Sequence, residues 1–281
     1  MVEAWTAAQI REAERPHLEA GEPLMRRAAD GLTGVVREMV RASSRSRDGR
    51  AGRVLLLVGS GNNGGDTLYA GESLARELVP QGGTVTVVPV GSRVHEAALA
   101  AALAAGAVLD DVEAWCDPAV VAVALPGYDV VLDGLVGTGS RGAGLRGDAL
   151  RVVRAVLPVV ADATQGAGAG ATGSGGTALA SGTGAGTDAA SHPGGGAAPA
   201  GASAALAPRV VAVDVPSGMG VDDGALPDPP FVLPADVTVT FGGHKVGLLV
   251  SPGAERAGHI VLVDIGIGAD LARMPPAVSI S

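Results

Sequence analysis

Cysteine, aromatic side chains and long apolar runs are all scarce in this chain, and each scarcity removes a class of protein. Cys116 is the single cysteine among 281 residues, so no internal disulfide forms and no thiolate pair is offered to a metal. It reads as a space-filling side chain, and a reducing, cytoplasmic setting fits. Aromatics make up 2% of the chain, no Lys/Arg cluster is interleaved with them, and 20 basic against 29 acidic side chains leave a net charge of −9. Attraction to a phosphate backbone therefore does not drive binding, which argues against nucleic acid as a partner. Gly, Pro or charge interrupts every apolar run short of the roughly 20 residues of a membrane span. At the N-terminus Glu3, Arg11, Glu12 and Glu14 break the stretch of about 7 to 15 apolar residues that an export signal needs.

What remains is a chain that is 47% apolar, ample for a substantial buried core. Thr6 and Gln9 have capping-box spacing ahead of a helix carrying Ile10, Ala13 and His17 or Leu18 on one face. Gly21 ends it, and Glu22-Pro23 opens a second helix through Leu24, Leu32, Val35, Val36 and Met39. From Arg53 a βαβα rhythm begins: the strand RVLLLV, a glycine turn, a helix over residues 65–78, the strand TVTVVPV and an alanine-rich helix around 94–105. Further strand-like runs are YDVVLDGLV, RVVAVDV, ADVTVTF and HIVLVDIG, apolar on both faces as strands covered by helices on both sides must be. The expected fold is α/β: a Rossmann-like, doubly wound, mostly parallel sheet in a three-layer α/β/α arrangement, one domain over residues 1–281. Residues 164–208, almost wholly Gly, Ala, Ser and Thr, read as a flexible insertion within it, and His192 as an exposed side chain there.

In an open α/β sheet ligands sit beyond the carboxyl ends of the strands. Four such ends combine glycines with polar side chains: GSGNNGGD at 59–66, DGLVGTGSRGAG at 133–144, DVPSGMGVDDG at 214–224 and FGGHKVGLL at 241–249. The first matches G-x-G-x-x-G through Gly59, Gly61 and Gly64 but ends without the G-K-[ST] of a phosphate loop. Asp66, at the expected helix start, caps N–H groups and repels phosphate. Asn62 and Asn63 offer amide donors and carbonyl acceptors, suiting a neutral polar group or a hard cation. The second turn presents backbone N–H groups, Thr138, Ser140 and Arg141, and is the better phosphate site. Asp133 ends the strand before it. Asp214 and Ser217 face the same crevice. Ser217 lacks a G-x-S-x-G elbow and a placed histidine, which argues against a hydrolase nucleophile; Asp214 is the acid/base candidate and Lys245 the group to stabilise charge or move a proton. His17, His95 and His259 lack partner motifs. An ordinary dehydrogenase is disfavoured because VVPVGSR carries no acid at the end of the second strand, about 20 residues past the glycines.

Taken in order, GSGNNGGD, DGLVGTG, AVDVPSGMGVDDG and ADVTVTFGGHKVGLL resemble the YjeF N-terminal domain family, as do TAAQIREAE and GEPLMRRAA. The resemblance implies an isomerase, an NAD(P)H-hydrate epimerase that interconverts the R and S forms of hydrated NADH or NADPH for nicotinamide cofactor repair beside a separate dehydratase. It implies that Asn62, Asn63, Gly64, Gly65, Asp66 and the loop Gly137, Thr138, Gly139, Ser140, Arg141, Gly142, Ala143 hold the dinucleotide, which is substrate and not cofactor. Asp214 touches the reacting ring on this reading, with Lys245 beside it. One potassium ion per subunit would be held by Asn63, Asp133 and Ser217. Thr67 and the HK of FGGHKVG depart from the expected family pattern. Homodimerisation is also implied; the alternative is a non-catalytic binding or scaffold module of the same fold.

Overall fold

The run RVLLLV forms the strand from which the main sheet grows outward in both directions. The computed structural model describes residues 1–43, 48–139, 142–168 (backbone alone from 162) and 207–280. Strand β1 (Val2–Trp5) and helices α1 (Ala7–Glu19) and α2 (Leu24–Arg41) precede β2 (Arg53–Val58). Then come α3 (Asn62–Leu78), β3 (Thr84–Pro89), α4 (Glu96–Ala104), β4 (Val108–Leu109), α5 (Val112–Trp115), α6 (Pro118–Ala124), β5 (Val130–Gly134) and α7 (Gly147–Gly168). Beyond these lie β6 (Arg209–Val213), β7 (Val237–Phe241), β8 (His244–Lys245), α8 (Val246–Leu249), α9 (Ala254–Ala257), β9 (His259–Val263), α10 (Gly268–Leu271) and β10 (Val278–Ile280).

Seven strands pair in the order β4-β3-β2-β5-β6-β7-β9, every neighbouring pair parallel. The chain winds from β2 out to β4, then crosses back to lay β5 on the other side of β2. The strand order thus reverses between β2 and β5, the point at which such sheets open a crevice. Alternate side chains of β2 explain the layering. Val54, Leu56 and Val58 join one buried cluster with Leu32 and Val36 of α2 and Leu68 and Leu74 of α3. Leu55 and Leu57 join a second with Val121 of α6 and Val152 and Val156 of α7. Each fully buried aliphatic side chain contributes about 1.5–3 kcal/mol, so both faces of the sheet must stay covered.

Local expectations hold with informative shifts. Thr6 and Gln9 make the capping box reciprocally, Gln9 N–H donating to Thr6 Oγ1 at 3.2 Å and Thr6 N–H to Gln9 Oε1 at 2.9 Å. Ile10 and Ala13 are buried, whereas Leu18 is exposed. Helix α2 starts one residue after Pro23, which occupies the N-cap. Helix α3 starts at Asn62 and not at residue 65, so the asparagines lie in its first turn. Helix α7 runs to Gly168, into the stretch that composition assigned to the insertion; residues 169–206, His192 included, lie outside the described residues. An unforeseen second sheet, β10-β1-β8, joins the chain's two ends: β1 runs antiparallel to β10 and parallel to β8, with Trp5 opposite Lys245. Among the described residues no helix is long and apolar enough to cross a membrane.

His17 clamps α1 to its neighbours, with Nδ1 2.9 Å from Glu22 and Nε2 2.9 Å from Asp270 at the start of the last helix. The Asp270 and Glu22 carboxylates hold the His17 pKa above its ordinary value, and His17 in turn lowers theirs. A raised folded-state histidine pKa contributes stability that is full below the unfolded value of about 6.5 and lost as pH rises through the folded one. The melting temperature of His17→Gln should therefore fall below that of the wild type at pH ~6 and approach it at pH ~9. A gap of equal size at both pH values in paired thermal melts would mean that the clamp acts by shape and not by charge.

Candidate functional site

The crevice between β2 and β5 is closed at its floor by backbone packed on backbone. Gly59 N–H donates to Gly134 O at 3.1 Å, and a Cβ on Gly59 would overlap the Leu135 carbonyl; only glycine lets the first turn lie against the second. Helix α3 begins in that turn with Gly61 at its N-cap and no side-chain cap. Asp66 is thus not the capping residue that the sequence led us to expect. It sits in the second turn of the helix, 6% exposed, and its carboxyl has no hydrogen-bond partner among the described residues. Burial, with the charges of Asp214 and Glu14 adding to it, pushes its pKa well up.

Asn63 points into the floor. Its Nδ2 donates to the carbonyl of Val213 at 2.6 Å, which leaves Oδ1 as the free acceptor, and a Cβ on Gly137 would overlap that Oδ1. The carbonyl of Asn63 accepts from Thr67 Oγ1 at 2.7 Å, so the threonine that departs from the family pattern serves as a buried strut. On the other wall Asp133 is fully buried at the end of β5. Its Oδ2 accepts from Ser217 N–H at 2.9 Å. Ser217 Oγ accepts from Val136 N–H at 2.9 Å and lies 3.2 Å from Val136 O. Burial raises the Asp133 pKa, and the bonds from Ser217 and Leu135 oppose the rise.

These groups make an oxygen-only donor set with one carboxylate: Asn63 Oδ1, Asp133 and Ser217 Oγ. Among the described residues no group of three or more His, Cys, Asp or Glu is placed to hold a metal, which argues against a transition metal; hard oxygen donors suit a hard cation. A buried Asp133 carboxylate bonded to no basic side chain among the described residues, and a Gly137 that leaves Asn63 Oδ1 uncovered, fit a monovalent cation well.

One peptide further on stands Asp214, with φ +67°, the single non-glycine residue at positive φ among the described residues. Such a conformation costs about 1–3 kcal/mol and persists where surroundings over-determine it. Here they do. Asp214 N–H donates to Val239 O at 2.7 Å, while Oδ1 receives Thr240 Oγ1 at 3.2 Å, Phe241 N–H at 3.4 Å and Nζ of Lys245 in a close ion pair. Lys245 is the only lysine in the chain and is 1% exposed. Its remaining hydrogen bonds go to Thr240 Oγ1 at 3.1 Å and Phe241 O at 2.8 Å. Among the described residues Asp214 Oδ2 receives no donor, which leaves it as the carboxylate oxygen available to a ligand.

Of the expected site residues, Asn63, Asp66, Asp133, Asp214, Ser217 and Lys245 converge at this switch point, with Gly64 and Gly65 buried behind the turn. Asn62 is exposed at the rim, as are Gly139, Gly142 and Ala143; Gly137 and Thr138 are half-buried. Ser140 and Arg141 lie outside the described residues. His95 caps α4 through Nδ1, which accepts from Ala98 N–H at 3.1 Å, and packs edge-on against Tyr69, a structural role. Sequence reasoning missed two participants. Thr240 was hidden in an apolar strand, although a hydroxyl inside a fully buried run is a readable signal. Glu14, on α1, lies within electrostatic reach of Lys245, Asp214 and Asp66, and nothing in TAAQIREAE separates it from the exposed glutamates beside it. Arg11 on the same helix donates from Nη1 to Thr138 O at 2.9 Å, tying α1 to the second loop.

A parallel doubly wound sheet with an oxygen-lined pocket and an aspartate–lysine pair at its switch point defines a small-molecule site of the nucleotide-binding kind. The family described as YjeF-related protein N-terminus matches residues 21–159 and 196–247, and the chain belongs to that family. It is 40% identical over 279 residues to the NAD(P)H-hydrate epimerase of Clavibacter michiganensis subsp. michiganensis, covering 99% of this chain and 96% of that one. A relative of the same name from Microbacterium testaceum is 37% identical, covering 99% and 84%. The bifunctional NAD(P)H-hydrate repair enzyme Nnr of Mycobacterium tuberculosis is 33% identical over 94% of this chain, which spans 41% of that protein. The crystal structure of yeast ynu0 (YNL200c) superposes with a TM-score of 0.59 at 15% identity, covering 93% of this chain and 87% of that one, and shares the fold.

Removing one partner of a buried ion pair strands the other, a loss of about 3–5 kcal/mol. Lys245→Met should lose stability of that order in denaturant unfolding, and adding Asp214→Asn should restore part of it. A double variant no more stable than the single one would show that Lys245 stabilises by packing alone.

Proposed function

We infer that the chain is an NAD(P)H-hydrate epimerase. The observation that carries the inference is the bond from Asn63 Nδ2 to the carbonyl of Val213, which brings the oxygen pocket and Asp214 to one crevice where a single ligand meets both. Support comes also from the relatives of that name at 37–40% identity over nearly the whole chain. An open hollow of about 490 Å³ lined by Ser92, Arg93, Val94, His95 and Glu96 adjoins the first turn, where Arg93 N–H donates to Ser60 Oγ at 3.1 Å. It offers room for the part of a dinucleotide reaching past the turn.

The substrate carries a hydroxyl on the ring carbon beside the nitrogen, and inversion requires a bond at that carbon to break and re-form on the opposite face. Electron donation from the enamine nitrogen makes the break feasible; the protein must place the ring and handle protons. Asn62, Asn63, Gly64, Gly65 and Asp66 hold the ring end in this reading, and the loop from Gly137 to Ala143 holds the phosphates through backbone N–H groups. Asp214 meets the reacting ring with Oδ2, its other oxygen being held by Lys245, Thr240 and Phe241. Asn63, Asp133 and Ser217 would hold a potassium ion, which when bound supplies a fixed positive charge beside the substrate. Homodimerisation, a cytoplasmic location and a functional partnership with an NAD(P)H-hydrate dehydratase complete the proposal; the bifunctional name of the mycobacterial relative supports the last.

Incubating the protein with one epimer of hydrated NADH and following the other by chromatography tests the proposal. The protein should speed interconversion well beyond the spontaneous rate, more so in potassium than in sodium. Asp214→Asn should lower the rate by about a hundredfold or more in a protein that still folds, though with a lower melting temperature because Lys245 loses its buried partner. An inert wild-type protein, or a fully active Asp214→Asn, would count against the activity and the assignment respectively.

A further inference from the structure

Inversion at one carbon moves oxygen from one face of the ring to the other, so a proton must be delivered on the departing side and collected on the arriving side. Asp214, rooted at the end of β6, serves one side. Apart from Asp133, bonded to Ser217, and Lys245, the ionisable groups near it among the described residues are Asp66 from α3 and Glu14 from α1. Glu14 is half-buried and, among the described residues, makes neither a hydrogen bond nor an ion pair, unlike Glu12, which is bound to Arg15. Its helix is fixed over the site at several points. Ile10, one turn earlier, lies against Gly243 in the turn before Lys245; Arg11 holds Thr138 O; and β1, which leads into α1, pairs Trp5 with Lys245.

We propose that Glu14 is a second catalytic proton carrier of the epimerase site, delivering or collecting on the face of the ring opposite Asp214. The inference rests on the epimerase reading above. In the hydroxyl-loss direction, the Glu14 carboxyl gives its proton to the departing oxygen. The C–O bond breaks with its electrons leaving on water, and the nitrogen lone pair closes a C=N bond. Water then adds to that carbon from the other face and gives a proton to Asp214. Solvent water returns the proton from Asp214 to Glu14, so the site ends as it began, and the reverse epimerisation uses the same groups in exchanged roles.

The two environments suit opposite tasks, the arrangement that separates an acid from a base in carboxylate enzymes. Burial raises the Glu14 pKa, Asp214 adds to the rise, and Lys245 and Arg11 oppose it. Asp214 is the ion-paired carboxylate. The charged groups facing Glu14 are Lys245, Asp214 and Asp66 across the crevice and Arg11 on its own helix; Glu22 and Asp270 on the neighbouring elements are engaged by His17.

Glu14→Gln keeps the shape and removes the proton. Its kcat for hydrated NADH should drop about a hundredfold or more, with KM within about threefold and the potassium response and melting temperature kept. The wild-type rate should decline as pH rises through the raised Glu14 pKa and the carboxyl loses its proton, and the residual rate of Glu14→Gln should lack that descending limb. Glu14→Asp should recover part of the rate. A Glu14→Gln protein with wild-type kcat, a loss carried by KM alone, or an unchanged descending limb overturns the proposal. Because the wild type is measured in the same assay, an inert wild type is a separate result that fails the epimerase reading itself.

Discussion

A lysine and an aspartate that neutralise each other in the interior organise the catalytic end of this protein. Desolvating two charges costs several kcal/mol per ion, and the fold offsets it by satisfying both partners: Lys245 Nζ bonds Asp214, Thr240 and Phe241 O, while Asp214 Oδ1 receives the Thr240 hydroxyl and Phe241 N–H as well. That network joins the end of β6, the end of β7 and β8 into one unit and holds Asp214 at its positive φ. A side chain so constrained presents its free oxygen in one direction, as preorganised catalysis requires.

The switch point supplies the setting. Because the strand order reverses between β2 and β5, the turn after β2 and the loop after β5 diverge above the sheet and leave a crevice between them. Gly59 lets the two backbones touch at its floor, and Gly137 leaves the Asn63 side chain room. The consequence is that a neutral amide, a buried carboxylate and a hydroxyl lie together, with no basic side chain bonded to Asp133 among the described residues.

Helix α1 is the third contributor and the one that makes the site a closed electrostatic system. Its capping box fixes where the helix starts, Ile10 and Ala13 bury its inner face, Arg11 grips the second loop and His17 ties its far end to α10. Glu14 is thereby brought into the field of Asp66, Asp214 and Lys245. Burial raises the pKa of Asp66 and of Glu14, and the charge of Asp214 adds to both rises.

The strands, the burial of the central ones on both faces and the positions of the four glycine-bearing ends were legible in the sequence, because apolar periodicity and turn chemistry are local and short-range; β9, equally apolar in sequence, is an edge strand with Leu262 exposed. As candidates, Asn63, Asp133, Asp214, Ser217 and Lys245 were legible because each stands at the end of an apolar run or in the turn that follows it. Local pattern misplaced the start of α3 and with it the role of Asp66, since two asparagines and two glycines read as turn while tertiary packing draws them into the helix. Only the tertiary structure decided that the chain's single lysine is buried against Asp214, that the two ends of the described chain share a sheet with β8, and that Glu14 is half-buried while Glu12 is exposed. Those outcomes depend on which distant segments meet, and a charge acquires its chemistry from what is packed around it, which residue order alone does not encode.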